Sequence, residues 1–336
     1  MSNPTLSQVF AIYFRERGPL LRPERRQTTE TRRDLFETVW GGRQLVEDIG
    51  QTHVDRYAAA RRAGGIVVED SVTGETRAFG AVRDGTINTD FNSLSSVFNW
   101  ARKHKTNGRR PLSANPLHDV QWPKEKNVRR PVASHQRFIA TLARADDIDP
   151  GGRLACMLSL ARYTGRREGA ICLLRVSDVL KTEKDILAAL AALGMDDHMA
   201  EHMPHGAIRW RAEHDKKGYT AVAPLSTRGR DAVDHYLRSN PRVGEAWLFA
   251  SPRDDAKPID SKLASGWLVK AEKLAELPKL AGGRWHPYRR LWATERKTLP
   301  DADVAGAGGW RDTRALKMSY QQADPITVLR VVEAGE

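Results

Sequence analysis

The sequence predicts a mainly α protein of two domains, the second of α+β type with one small antiparallel sheet. Three observations carry this expectation. The 336 residues suit two domains of the usual ~100–200 residues each. Apolar residues recur at helical spacing in several segments and alternate in only one pair. A short proline-marked stretch, rich in Lys and Arg, separates two regions of different character.

Composition narrows the class before any element is placed. Hydrophobic residues are 40% and charged residues 29% of the chain, a globular balance that argues against wholesale disorder. No apolar run approaches the ~20 residues of a membrane span, and Met1-Ser2-Asn3-Pro4 lacks a secretory pattern. Cys156 and Cys172 are the only cysteines, too few for a disulfide framework or a thiolate zinc site. A soluble, cytoplasmic, nucleoid-associated protein is expected. The net charge of +12 suggests a polyanionic partner.

In the first domain, Leu6, Val9, Phe10, Tyr13 and Phe14 fall on one helix face. Ile87, Phe91, Leu94, Val97, Phe98 and Ala101 form a second stripe, with Asp84-Gly85 read as a turn and Thr86 as N-cap. Gly64-Gly65 and Thr73-Gly74 read as loops between them. The helical domain is placed at residues 1–117 and a basic linker at 118–133. Residues 1–100 hold equal numbers of acids and bases. Residues 101–130 hold nine basic residues (Arg102, Lys103, Lys105, Arg109, Arg110, Lys124, Lys126, Arg129 and Arg130) against two acids. Pro111, Pro116, Pro123 and Pro131 keep this stretch extended. Those nine cations are the candidates for contact with a phosphate backbone.

The second domain is placed at residues 134–336. Leu154, Met157, Leu158 and Ala161 mark a helix ending near Tyr163-Thr164-Gly165. Strands are expected at 208–212 and 219–223, with a turn at His214-Asp215-Lys216-Lys217-Gly218. Helices follow around Val233 and Tyr236, and around Leu263 and Leu268. Residues 183–205 read as an inserted, solvated surface helix. Its His198, His202 and His205 are metal-like in spacing, but Pro204 and the residue order argue against zinc. No metal or other cofactor is called for.

Four pieces of this domain stand in a telling order: Thr164-Gly165-Arg166-Arg167, the turn with Lys216, His286-Pro287-Tyr288-Arg289, and Gly309-Trp310 with Tyr320 ten residues on. This order resembles the tyrosine recombinase (phage integrase) family of site-specific recombinases. The family pattern is a Thr-Gly-x-Arg box, a hairpin lysine, a His-x-x-Arg box, a Gly-His/Trp pair and a tyrosine nine or ten residues later. Segments 174–179, 222–225, 86–88, 98–101 and 115–117 fit it too, so the likeness covers most of the chain from about residue 85. The resemblance implies a SAM-like core-binding domain followed by the recombinase catalytic fold. It implies Arg167, Lys216, His286, Arg289, Trp310 and Tyr320 as catalytic residues, with Tyr320 the nucleophile. Arg166 and Arg290 then stand beside the two catalytic arginines as non-catalytic neighbours. Duplex DNA is the implied partner, bound by a homotetramer on paired sites with DNA-bending or directionality proteins as accessories.

The residue types suit the chemistry. Arginine's planar fork stays protonated and donates paired hydrogen bonds to phosphate oxygens, so two arginines can do the charge stabilisation of a metal clamp. A phenolate favoured by a cationic pocket can form a covalent phosphotyrosine. Lys216 matches the general acid for the departing 5′-oxygen, His286 assists proton transfer at the other oxygen, and Trp310 suits packing and indole hydrogen bonding. One departure is Ala170, where the family commonly has an acid; Glu168 is the nearby substitute. A type IB topoisomerase-like enzyme and a catalytically silent DNA-binding protein of the same fold are the alternatives. The apolar tail after Tyr320 (Ile326, Val328, Leu329, Val331, Val332) docks either on its own core or on a neighbouring protomer.

Overall fold

Thr5 starts the first helix with a capping box: its hydroxyl accepts the Gln8 N–H at 3.3 Å, and the Gln8 side chain accepts the Thr5 N–H at 2.9 Å. The computed structural model describes residues 3–69, 74–106, 108–124, 130–214, 218–280, 283–323 and 325–334. It divides into two units, Met1–Val128 and Arg129–Glu336.

In the first unit, α1 (Leu6–Glu16), α2 (Pro23–Trp40), α3 (Gln51–Ala63) and α4 (Asp84–Lys103) surround one apolar core. Both predicted stripes face it, and Leu6, Val9, Ile87, Phe91 and Phe98 are all but inaccessible. Each such side chain contributes about 1.5–3 kcal/mol. Two expectations change. Thr86 is not the N-cap: α4 already starts at Asp84 after Arg83, where an acid in the first turn suits the helix dipole. Residues around Gly64-Gly65 do not simply form a loop either. Gly64 and Gly65 have positive φ and turn the chain into an antiparallel pair, β1 (Ile66–Glu69) with β2 (Thr76–Phe79). Ile66 is its only buried position, so the alternation that betrays a strand is missing. Thr73 lies outside the described residues. Beyond α4 the chain stays on this core: Leu112 and Leu117 are buried, and Val120 and Trp122 pack against it.

In the second unit, α5 (His135–Leu142), α6 (Ala145–Ile148), α7 (Arg153–Thr164) and α8 (Glu168–Cys172) come first. An antiparallel sheet of order β3-β4-β5 follows, made of β3 (Val179–Leu180), β4 (Ala207–Trp210) and β5 (Ala221–Pro224), with α9 (Glu183–Ala191) between its first two strands. Next come α10 (Thr227–Ser239), a two-stranded ladder of β6 (Ala250–Ser251) and β7 (Asp254–Pro258), and α11 (Ser261–Leu274). The chain finishes with α12 (His286–Glu295), α13 (Asp301–Gly308), α14 (Thr313–Ser319) and α15 (Pro325–Glu333). Helix α7 is buried on nearly every side and packs against α10 and α12.

The predicted hairpin exists with shorter strands, since residues 212–214 form a 3₁₀ turn instead of continuing β4. The second ladder and β3 were not expected; each has a strand of only two residues, too short to show a period. Residues 183–205 are not a solvated surface helix. Ile186, Ala189, Leu190, Ala200 and Met203 close a small core with Leu180, Ala207 and Val222 of the sheet. Here α9 covers the sheet with an apolar face whose periodicity is easily mistaken for an isolated amphipathic helix.

Candidate active site

Helix α7 ends at Gly165, whose left-handed φ of 64° closes the helix. A Cβ there would stand 2.4 Å from the Trp292 ring, so only glycine lets the two elements meet. The next residues, Arg166 and Arg167, diverge. Arg166 is buried; its Nε and Nη2 donate to the carbonyls of Ala307 (3.0 Å) and Gly306 (3.2 Å), and its guanidinium lies 4.9 Å from the Trp210 ring centre. It thus caps the C-terminal end of α13 with a positive charge. Arg167, half-buried, precedes α8, and its Nη1 donates to the Gly309 carbonyl at 3.4 Å. No carboxylate pairs with Arg167 among the described residues.

Helix α12 carries the second box. His286 and Arg289 are three residues apart near its N-terminus, so they share a face. Arg289 is 2% exposed. Its Nη1 donates to the carbonyls of Gly165 and Gly308, the latter at 2.7 Å, while Nε and Nη2 are buried with no hydrogen-bond partner among the described residues. The guanidinium lies 3.5 Å from the Trp310 ring centre and 5.1 Å from that of Tyr320. Burial, then the nearby Arg167 charge, pushes Arg289 down to about 9. The adjacent Arg290 is equally buried but points elsewhere, donating from Nη1 to the Pro131 carbonyl at 2.9 Å.

Trp310 follows Gly309, another left-handed C-cap. It is 6% exposed and stacks on Trp292 at 5.9 Å, with Tyr320 edge-on at 4.9 Å. The packing expected of Trp310 is present, but its indole N–H has no hydrogen-bond partner among the described residues. Tyr320 sits just past the end of α14, where its N–H donates to Leu316 at 3.0 Å. The Thr294 hydroxyl donates to the Tyr320 carbonyl and accepts from the Gln322 N–H, both at 3.2 Å. Sequence reasoning did not single out Thr294; it is one turn beyond Arg290 on α12 and carries no motif of its own.

His286 lies 6.2 Å from Tyr320 between ring centres. Packing against the protein on its inner side, followed by the charges of Arg290, Arg289, Arg167 and Arg130, lowers its pKa to about 4. Its outer edge stays open to solvent. With its pKa so lowered, the imidazole is neutral at neutral pH. Glu168 does not substitute for the missing acid at Ala170: it receives a hydrogen bond from Ser265 at 3.3 Å, toward α11, and burial raises it to about 6.

The fold thus gathers Arg167, His286, Arg289, Trp310 and Tyr320 into one cationic pocket. Lys216 lies outside the described residues. Among the nine basic candidates, Arg102, Lys103, Lys105, Arg109, Arg110, Lys124 and Arg130 are exposed, while Lys126 and Arg129 lie outside the described residues. Asp196, Asp197 and His198 form an exposed cluster with ligand atoms within 4.8 Å of one another. His202 and His205 are not part of it, and His205 instead faces the Thr227 hydroxyl at 3.1 Å.

No family model matches the chain, and neither does any curated protein. Solved structures do. A lambda integrase dimer bound to a COC′ core site matches at 17% identity, over 96% of this chain and 100% of that one, with a TM-score of 0.65. The Tn1549 transposon integrase in complex with a circular intermediate DNA matches at 13% identity, over 98% and 99%, with a TM-score of 0.64. The XerH site-specific recombinase bound to a palindromic difH substrate, a post-cleavage complex, matches at 12% identity, over 92% and 76%, with a TM-score of 0.58. The chain has the mainly α fold, with small antiparallel sheets, that these tyrosine recombinases share.

Proposed function

We propose that this protein is a site-specific DNA recombinase that cuts and rejoins strands through a covalent 3′-phosphotyrosine, serving integration or excision of DNA. One observation carries the reading: Arg289 is buried beside Arg167 and against the Tyr320 hydroxyl, with no carboxylate among its neighbours in the described residues. An uncompensated buried cation is costly, and a phosphodiester entering the pocket supplies the missing charge and acceptors. The recombinases and integrases of the same fold are solved on DNA, which makes DNA the natural source of that phosphodiester.

In the proposed reaction Arg167 and Arg289 hold the non-bridging oxygens of the scissile phosphate. The Tyr320 oxygen attacks phosphorus and its proton passes to neutral His286. The P–O bond to the 5′-oxygen breaks, and that oxygen takes a proton from Lys216. Trp310 packs the Arg289 plane and keeps it turned toward the substrate. In the second half-reaction a 5′-hydroxyl of another strand attacks the phosphotyrosine, restoring the phosphodiester and the phenol. Bond energy is conserved throughout, so no nucleotide cofactor enters the balance. Two strand exchanges need four such centres, hence a homotetramer on paired sites.

Ala170 favours one second reading, a DNA-binding protein that has lost cleavage, because no acid braces Arg167 among the described residues. A nicked suicide substrate carrying a site selected by the protein separates the two. The recombinase reading expects a DNA-linked species resistant to denaturation, lost in Tyr320→Phe while binding persists. Tight binding without any linked species overturns it in favour of the silent one. A topoisomerase-like enzyme would instead relax plasmids lacking any site, without recombinant products.

A further inference from the structure

In the first unit a cavity of about 370 Å³ opens between α2, α3, α4 and β2. It has room for roughly a dozen waters at ~30 Å³ each. Of the nine residues lining it, three are arginines (Arg32, Arg61 and Arg77) and one is an acid, Asp90. The acid is fully engaged. Its Oδ1 accepts Arg32 Nε at 3.0 Å, and its Oδ2 accepts Arg61 Nε at 3.1 Å and the Tyr57 hydroxyl at 3.0 Å. One carboxylate against three guanidiniums leaves the lining with a two-charge excess.

Arg61 is 4% exposed, and its Nη1 is buried with no hydrogen-bond partner among the described residues. Arg77 approaches from β2 with its guanidinium 4.7 Å from the Phe79 ring centre, and it has no acidic partner among the described residues. Thr28 and Thr31 also line the cavity, but their hydroxyls already donate to the carbonyls of Glu24 and Gln27. The free donors are therefore the guanidinium nitrogens and the Gln27 side-chain amide, on a concave surface with net positive charge. Planar forks arranged in this way match tetrahedral oxyanions better than any cation or apolar ligand.

We propose that this cavity binds a phosphoryl anion, with Arg61 at its buried end and Arg32 and Arg77 beside it. The anion is either a phosphate of the DNA backbone or a small free phosphate; the recognition chemistry is the same. The proposal does not depend on strand cleavage, since none of the residues gathered around Tyr320 takes part in it.

The test uses the full-length protein in the Arg167→Gln background, which removes one of the two phosphate-holding arginines of the other pocket. Inorganic phosphate is titrated against chloride at constant ionic strength while the melting temperature is followed. A phosphate-specific rise is expected, with its midpoint moved at least fivefold by adding Arg77→Gln. Arg77 is exposed, and each variant is referred to its own melting temperature in chloride, so a change in basal stability does not mimic the effect. A short duplex then distinguishes the sources. If Arg77→Gln also weakens duplex binding and makes its salt dependence shallower by about one phosphate, the backbone is the ligand. Unchanged duplex binding with the phosphate effect intact identifies a free anion. A phosphate response that is absent, or identical with and without Arg77, overturns the proposal.

Discussion

Replacing Arg289 by Lys keeps the charge and the apolar stem but removes the planar fork, and so isolates what the fork does. In the structure one nitrogen, Nη1, is committed to two carbonyls, Gly165 and Gly308, while Nε and Nη2 remain for a ligand. A lysine has a single nitrogen, and its three protons cannot span both carbonyls and two phosphate oxygens, nor can it keep the flat face that the guanidinium lays 3.5 Å from the Trp310 ring centre. The substitution therefore removes at least one transition-state donor, worth about 3–4 kcal/mol or ~100- to 1,000-fold in rate. Duplex binding spreads over many phosphates and should change by less than about threefold. Single-turnover cleavage of a nicked substrate, measured beside equilibrium binding, reads both quantities. A lysine variant that cleaves within fivefold of wild type would refute the role given to the fork. So would an equal loss in binding and cleavage.

Other residues test the pocket's supports and its titration. Arg166→Met removes two bonds to the last carbonyls of α13 and a cation–π contact, so unfolding by denaturant should show a loss of about 2–3 kcal/mol. Glu168 is held protonated up to about pH 6 in the folded state, against an ordinary value near 4.5, so the folded state binds the extra proton between those values and stability is lost as pH rises. Glu168→Gln should accordingly stabilise the protein by about 1 kcal/mol at pH 7 and have little effect below pH 4.5, as read by melting curves at both pH values. His286 has the opposite sign. Its unfolded imidazole gains a proton near pH 6.5 while the folded one waits until about 4, so the unfolded state binds more protons in that window and stability falls with falling pH. The stability–pH curve of His286→Asn should be flatter between pH 6.5 and 4 than that of wild type; parallel curves would contradict the assignment.

The boxes were legible because each is short and encoded locally. Gly165 must end α7 for steric reasons, and His286 and Arg289 share a helix face whatever surrounds them. Spacing within the boxes also proposes Arg167 over Arg166 and Arg289 over Arg290 as the residues of the site. In the structure the two neighbours are buried and bonded to backbone carbonyls of Gly306, Ala307 and Pro131. What stayed hidden is non-local. Nothing in the sequence shows that the Gly165 and Gly308 carbonyls meet on one guanidinium, or that Thr294 holds the backbone of Tyr320. The β1–β2 pair and the two-residue strands are too short or too exposed to carry a period. The helix at 183–191 reads as amphipathic, but the sheet that receives its apolar face is assembled from strands on either side of it.

The central claim is that Tyr320 forms the covalent bond to DNA, and the most direct measurement is to locate that bond. Wild-type protein is trapped on a nicked substrate and digested with nuclease and protease, and the nucleotide-bearing peptide is sequenced by mass spectrometry. A 3′-phosphoryl nucleotide on Tyr320 is the predicted result. A nucleotide on any other residue, or none in a protein that binds the same duplex tightly, would contradict it.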